Sequence, residues 1–122
     1  MNKPKILLVD DEEEFVTTLA ERLGLRGFET QIATDGEGAL NLFEAESPHL
    51  VVLDLMMPGI GGLEVLKQIK KQNPRMPVIL LTGHGSTAEG IEGMRLGAFD
   101  YLMKPINIDD LIQVMEKAAG SK

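Results

Sequence analysis

The stretch that decides the predicted fold is Leu50-Val51-Val52-Leu53-Asp54-Leu55-Met56-Met57-Pro58-Gly59. Its first four residues are apolar, and the run is too short for a helix, which indicates a strand buried on both faces. Asp54 then stands at the carboxyl end of that strand. Ligands bind at this edge of open α/β sheets, so Asp54 is a candidate site residue, although an aspartate leaving a strand is most often a turn former or a helix cap.

Four further segments have the character of strands. Residues 5–9 and 78–81 are apolar runs, whereas residues 28–32 and 99–102 alternate apolar and polar side chains, as strands at the edge of a sheet do. Helical spacing of apolar residues separates these segments, which predicts a parallel sheet with helices on both faces. The predicted fold class is a doubly wound (βα)5 α/β sandwich, flavodoxin-like, with the strand order 2-1-3-4-5.

Capping signals predict where three of the helices begin. Thr34 with Glu37 forms a capping box for the second helix and Ser86 with Glu89 forms one for the fourth, while Asn107 is the expected N-cap of the last.

The fourth helix is expected to be the least stable. Gly90 and Gly93 lie inside it and cost about 1 kcal/mol each relative to Ala. Its expected inward residues are Ile91, Met94 and the stem of Arg95.

The bulk composition is that of one globular domain covering residues 1–122. Hydrophobic residues make up 43% and charged residues 25%, there is no Cys, and the formal net charge is −7. The negative charge argues against direct binding of nucleic acid, and no window of about 20 apolar residues could span a membrane. The residues before the first strand do not form a signal peptide, so we expect a cytoplasmic protein with neither a disulfide framework nor a cysteine nucleophile.

Because all parallel strands point the same way, Asp10, Asp11, Asp54, Thr82 and Lys104 should converge on one rim of the sheet. Two carboxylates about 4 Å apart repel by about 4 kcal/mol at an effective dielectric constant near 20. A divalent cation removes that repulsion, and oxygen ligands with room for water favour Mg²⁺ over Ca²⁺. The single loop histidine, His84, is not expected to bind metal.

A carboxylate beside a metal, a lysine and a hydroxyl can carry out phosphoryl transfer. Asp54 would attack in line, while Lys104 and the metal neutralise charge on the transferring oxygens. Thr82 and the backbone N–H groups of residues such as Met56 and Gly83 could hold the remaining oxygens.

Four motifs in order resemble the receiver domain of two-component response regulators, a chemotaxis-regulator-like superfamily. The resemblance covers the chain from Lys5 to about Ala118. Its motifs are Asp10-Asp11, the strand into Asp54 with Met57-Pro58-Gly59, Thr82-Gly83-His84, and the run from Gly97 to Pro105.

The resemblance implies a role for each matching residue. Asp54 matches the phosphoacceptor, which takes a phosphoryl group from the phosphohistidine of a sensor histidine kinase or histidine phosphotransfer protein. Asp11, Asp54 and the carbonyl of Met56 match ligands of one Mg²⁺, for which Mn²⁺ can substitute, and Asp10 matches an acid acting through water. Lys104 matches a residue that binds the phosphoryl oxygens.

The resemblance also implies a switch. Thr82 and Tyr101 match the hydroxyl and the aromatic side chain whose rearrangement reports phosphorylation to a downstream effector or a fused output domain. Such a protein catalyses only its own phosphorylation and dephosphorylation. It is expected to be a monomer that can form a homodimer on phosphorylation, through charges such as Arg95, Asp100 and Lys117.

Two positions depart from the family pattern, since Gly61 and His49 stand where aspartates are common. Neither change removes a chemical group from the site, because Gly61 can still cap a helix and His49 is at the far end of its strand. Two other readings stay open. A metal-dependent phosphatase would need an acid at Met56, and an interaction module would keep the fold without being phosphorylated. Binding of FMN is disfavoured, because acids occupy the place of a phosphate loop.

Overall fold

The computed structural model describes residues 4–83 and 87–120. Within them, five strands alternate with five helices. The elements in chain order are β1 (Lys5–Val9), α1 (Glu13–Leu25), β2 (Glu29–Ala33), α2 (Gly36–Glu46), β3 (Leu50–Asp54), α3 (Gly62–Gln72), β4 (Val78–Thr82), α4 (Thr87–Arg95), β5 (Asp100–Met103) and α5 (Ile108–Gly120).

The strands form one parallel sheet in the order β2-β1-β3-β4-β5, which confirms the predicted fold class. The two apolar strands at its centre, β3 and β4, are buried along their whole length. The register pairs Val9 with Leu53 and Thr82 with Met103. The residues that follow β1, β3, β4 and β5 therefore emerge side by side at one edge.

Two apolar layers cover the sheet, one on each face. Alternate residues along β1 and β3 enter opposite layers: Leu7 and Leu53 pack with α2 and α3, while Ile6 and Val52 pack with α1 and α5. This alternation is the two-residue period of a strand, and it explains why the interior positions of the central strands are all apolar. None of the helices within residues 4–83 and 87–120 combines the length and apolarity of a membrane span.

The inward face predicted for α4 is wrong. Ile91 is 58% exposed, Met94 is 39% exposed, and Arg95 is exposed as well. Among residues 88–95, whose burial the structure describes, the buried positions are Gly90 and Gly93. A Cβ built at Gly93 would overlap Cδ1 of Leu80, so the helix backbone itself lies on the sheet there. Helical spacing of the larger apolar residues pointed to the opposite face, because glycine carries no hydrophobic signal.

One predicted helix cap is also wrong. α2 is capped by Asp35, whose Oδ1 accepts a hydrogen bond from the backbone N–H of Gly38 at 2.7 Å. The predicted residue, Thr34, stands one position too early. Asn107 is confirmed as the cap of α5, because its Oδ1 accepts hydrogen bonds from the backbone N–H groups of Asp109 and Asp110. Ser86, the predicted cap of α4, lies outside the described residues.

Candidate functional site

The carboxyl edge of the sheet collects buried polar side chains. Asp10, Asp54 and Thr82 are exposed by 1%, 3% and 2%, and in the described part of the chain they are all of the polar or charged residues that are buried. They follow or end the three neighbouring strands β1, β3 and β4. Burying polar groups is costly unless they are paired or bind a ligand, so their clustering at one edge marks it as the candidate site.

Three carboxylates lie close together at this edge of the sheet. Asp10, Asp11 and Asp54 each offer an oxygen within 4.8 Å of the others, and Asp11 is exposed to solvent. Burial raises the pKa of Asp54 to about 6, and the negative charges of Asp10 and Asp11 act in the same direction. The N–H of Met56, which donates to Asp54 Oδ1 at 3.1 Å, opposes this rise, as does the charge of Lys104.

Lys104 follows β5 and carries its ammonium group into the acidic cluster. Its Nζ lies 2.7 Å from Asp10 Oδ2 and 3.8 Å from Asp54 Oδ2, and its side chain is only 12% exposed. Burial lowers the pKa of Lys104, but hydrogen bonds with Asp10 and Glu12 outweigh that effect and raise it above its usual value. The lysine therefore stays charged and partly neutralises the carboxylates.

Two residues of this site were missed from the sequence. Glu12 Oε1 lies 2.6 Å from Lys104 Nζ, and the ring centroid of Phe15 lies 4.4 Å from the same atom. An acid at the start of a helix suits the helix dipole, and Phe15 is an apolar residue of α1, so neither residue stands out in the sequence as part of a site. The available signal was that Glu12 directly follows Asp10-Asp11 at the edge of the sheet.

Thr82 contributes a hydroxyl that is available to a ligand. Its Oγ1 is buried and has no hydrogen-bond partner among the described residues. Gly83, the next residue, is exposed, and so is the Met56 side chain, by 53%. His84, which was not expected to bind metal, lies outside the described part of the chain. An oxygen donor set with no sulfur ligand, beside an unpartnered buried hydroxyl, fits a hard divalent cation and an oxyanion.

Tyr101 lies on β5, three positions before Lys104. It pairs with Leu80 across the sheet and is half-buried against α4. A Cβ built at Gly90 would be 3.4 Å from two atoms of the Tyr101 ring. The predicted switch residue thus contacts α4 directly, where glycine leaves room for its ring.

The two departures from the family pattern lie where expected. His49 is at the opposite edge of the sheet, where its Nδ1 accepts a hydrogen bond from the backbone N–H of Lys5 at 2.9 Å. Gly61 is the N-cap residue of α3.

Curated relatives of the chain are response regulators. The chain is 39% identical over 114 residues to the regulatory protein AtoC of Escherichia coli, which covers 93% of the chain and 25% of AtoC. It is 45% identical over 107 residues to the alkaline phosphatase synthesis transcriptional regulatory protein PhoP of Bacillus subtilis, covering 88% of the chain and 44% of PhoP. The chain thus spans less than half the length of these relatives.

Solved structures give the same result. The receiver domain of NtrX from Brucella abortus is 39% identical with a TM-score of 0.91, and the match covers 96% of this chain and 99% of that one. A CheY-like response regulator receiver domain protein from Methanospirillum hungatei is 30% identical with a TM-score of 0.92, over 97% and 94% of the two chains. The family model described as response regulator receiver domain matches residues 6–116. The chain therefore belongs to the response regulator receiver domain family.

Proposed function

We propose that this receiver domain accepts a phosphoryl group on Asp54 from the phosphohistidine of a sensor histidine kinase or a histidine phosphotransfer protein, in a Mg²⁺-dependent reaction. The observation that supports the proposal most directly is the burial of Asp54 among charged side chains. Its carboxylate is buried at the sheet edge, with two acids on one side and the Lys104 ammonium 3.8 Å away. Membership of the family supports the same acceptor chemistry.

Asp54 would act as the nucleophile. One carboxylate oxygen would form a bond to phosphorus, while the phosphorus–nitrogen bond of the phosphohistidine breaks and its electron pair stays on the imidazole nitrogen. The Met56 N–H, which already donates to Asp54 Oδ1, would hold the carboxylate in a fixed orientation. A carboxylate held in one orientation loses less freedom when it is brought into line with the phosphorus.

The residues that would hold the cation are Asp10, Asp11, Asp54 and the carbonyl of Met56. When bound, Mg²⁺, or Mn²⁺ in its place, would offset the negative charge of the carboxylates and of the phosphoryl oxygens. The close approach of the three carboxylates supports this assignment, since their mutual repulsion favours a shared counter-ion.

Lys104 and Thr82 would bind the phosphoryl oxygens. The ammonium of Lys104 can move toward Asp54 from its present distance of 3.8 Å, and the unpartnered Thr82 hydroxyl can donate a hydrogen bond. The backbone N–H groups of Met56 and Gly83 would hold the remaining oxygens. Without an acid at Met56 to protonate a leaving alkoxide, the protein would catalyse only its own phosphorylation and dephosphorylation, which argues against the phosphatase alternative.

The phosphodonor would dock beside α1. A groove of about 310 Å³ is lined by Phe15, Leu19, Ile106 and Ile108, together with Glu14, Thr18 and Arg22. Phe15 belongs both to this groove and to the surroundings of Lys104. A partner seated there would be next to the acceptor site, which is what transfer from a protein-bound phosphohistidine requires.

Phosphorylation would be transmitted to a binding surface through Tyr101 and α4. Movement of Thr82 toward a phosphoryl group would free space that the Tyr101 ring can fill, and this ring already lies on Gly90 of α4. Ile91 and Met94 are exposed apolar residues on the outer side of the same helix. These exposed side chains support a binding surface for a downstream effector or a fused output domain. The protein would be a cytoplasmic monomer, and a second copy could bind the same surface to form a homodimer on phosphorylation.

Intact mass spectrometry tests this function. The protein is incubated with Mg²⁺ and acetyl phosphate, beside a sample in EDTA and an Asp54→Asn variant. A gain of one phosphoryl mass that needs the metal and vanishes in the variant is the expected result. No gain in the folded wild-type protein would contradict the acceptor function, and a receiver-like interaction module would then describe the chain better.

A further inference from the structure

The ammonium of Lys104 lies closer to two other acids than to Asp54. Its Nζ lies 2.6 Å from Glu12 Oε1 and 2.7 Å from Asp10 Oδ2, but 3.8 Å from Asp54 Oδ2. The Phe15 ring lies 4.4 Å from the same atom. Glu12 and Phe15 are three positions apart at the start of α1, so they act on Lys104 from the same face of that helix.

The two acids that contact Lys104 differ in whether they also belong to the carboxylate cluster. Asp10 is buried and belongs to the carboxylate cluster, so its charge would be shared with the metal. Glu12 is 64% exposed, lies outside that cluster, and makes no side-chain cap for α1. Glu12 is therefore free to hold Lys104 even when a cation engages Asp10.

We propose that Glu12 is a positioning residue that holds the Lys104 ammonium away from Asp54 in the unphosphorylated domain and so slows acceptance of a phosphoryl group. The inference rests on the proposed function, because it matters only if Lys104 binds the phosphoryl oxygens. To do so, Lys104 must leave Glu12, and the loss of that ion pair adds to the barrier for transfer. Glu12 thus controls how readily the Lys104 ammonium reaches the phosphoryl oxygens, although Glu12 itself takes no part in metal binding or in bond formation.

The test compares Glu12→Gln with Glu13→Gln in the full chain. Both substitutions remove one negative charge at the start of α1, so Glu13→Gln controls for the change in net charge. With saturating Mg²⁺, the rate of mass gain on Asp54 should rise about two- to fivefold in Glu12→Gln, the range typical of a partly exposed ion pair. The Glu13→Gln rate should stay near that of the wild type. Equal rates in the two variants would overturn the inference.

A second readout does not depend on phosphorylation. The ¹H and ¹⁵N resonances of the Lys104 ammonium, assigned with Lys104→Met, are recorded in metal-free protein. They should shift in Glu12→Gln and not in Glu13→Gln, and unchanged resonances in both would refute the Glu12 contact in solution. A wild-type protein that gains no phosphoryl group would refute the proposed function and this inference with it. Phosphorylation of wild type and Glu12→Gln at the same rate would refute this inference alone.

Discussion

Gly62 lies so close to the end of β3 that a Cβ added to it would stand 2.5 Å from the carbonyl oxygen of Asp54. The same Cβ would be 2.7 Å from the Cα of Leu55, and the Gly62 N–H donates to the Leu55 carbonyl at 3.3 Å. The loop after the candidate phosphoacceptor therefore folds back on the strand before α3 begins. Only a residue without a side chain allows that approach, which fixes the backbone of Asp54.

Gly62→Ala should destabilise the domain. The new methyl group meets backbone atoms that cannot rotate away, so the strand end and the start of α3 must separate. Overpacking of this kind costs about 1–3 kcal/mol, and we expect a loss of that size in the free energy of unfolding measured with urea.

Gly24→Ala is the matched control for this prediction. Gly24 lies inside α1, and a Cβ built there has nothing within 4 Å. Alanine has the higher helix propensity, so the variant should be more stable by up to about 1 kcal/mol. A Gly62→Ala protein as stable as the wild type would show that the tight approach is not present in solution.

Asp54→Asn should stabilise the metal-free protein at neutral pH. Burial raises the pKa of Asp54 from 3.8 to about 6. Between these values the folded protein holds a proton that the unfolded chain has released, so the stability that Asp54 contributes is present below about pH 4 and is lost as pH rises through about 6. Asn has no such proton, and its advantage should reach about 2–3 kcal/mol above pH 7.

Urea unfolding of both proteins in EDTA, at several values between pH 4 and pH 8, measures this difference. Titrating groups that are distant from Asp54 are common to the two proteins and cancel in the comparison. If the difference in the free energy of unfolding stayed constant over the whole range, the pKa of Asp54 would not be raised in the folded protein.

Magnesium should stabilise the wild-type protein. A ligand that binds only the folded state adds about 1.4 kcal/mol when its free concentration is about ten times its dissociation constant. For a domain of this size we expect the thermal midpoint to rise by about 3–6 °C at constant ionic strength. Asp11→Asn should lose most of that rise, whereas Asp110→Asn, which changes an exposed acid of α5, should keep it. A rise that survives in Asp11→Asn would place the cation elsewhere.

Asp35→Ala should weaken α2, because the Asp35 side chain accepts the hydrogen bond from Gly38 that caps this helix. The expected cost is about 1 kcal/mol in the free energy of unfolding, the usual value for loss of an N-cap. Thr34→Ala is the control and should change stability by less than half as much. A larger loss of stability in Thr34→Ala than in Asp35→Ala would instead support the capping box predicted from the sequence.

The fold was predictable because burial leaves its pattern in the sequence. The apolar runs of β3 and β4 follow directly from the burial of both faces of the sheet. In the edge strand β2 the alternation matches burial only in part, because Ile32 is exposed and Ala33 is buried. The packing of α4 could not be read in this way, because the buried positions among residues 88–95 of this helix are Gly90 and Gly93. Where a helix backbone packs directly on the sheet, the contacting residues are glycines, which add nothing to the hydrophobic pattern. Ile91 and Met94 were therefore predicted to face the sheet, although they are exposed.

The sequence alone determined that the residues ending neighbouring parallel strands share the candidate site, since the carboxyl ends of such strands must emerge at one edge. It therefore placed Asp10, Asp11 and Asp54 together with Thr82 and Lys104. Only the tertiary structure decided which acid Lys104 contacts most closely. Glu12 and Lys104 are 92 positions apart, and their 2.6 Å contact depends on how the first turn of α1 meets the residues after β5. Strand order specifies the edge at which a side chain arrives, whereas its partner depends on loop geometry and rotamers, which no local sequence pattern encodes.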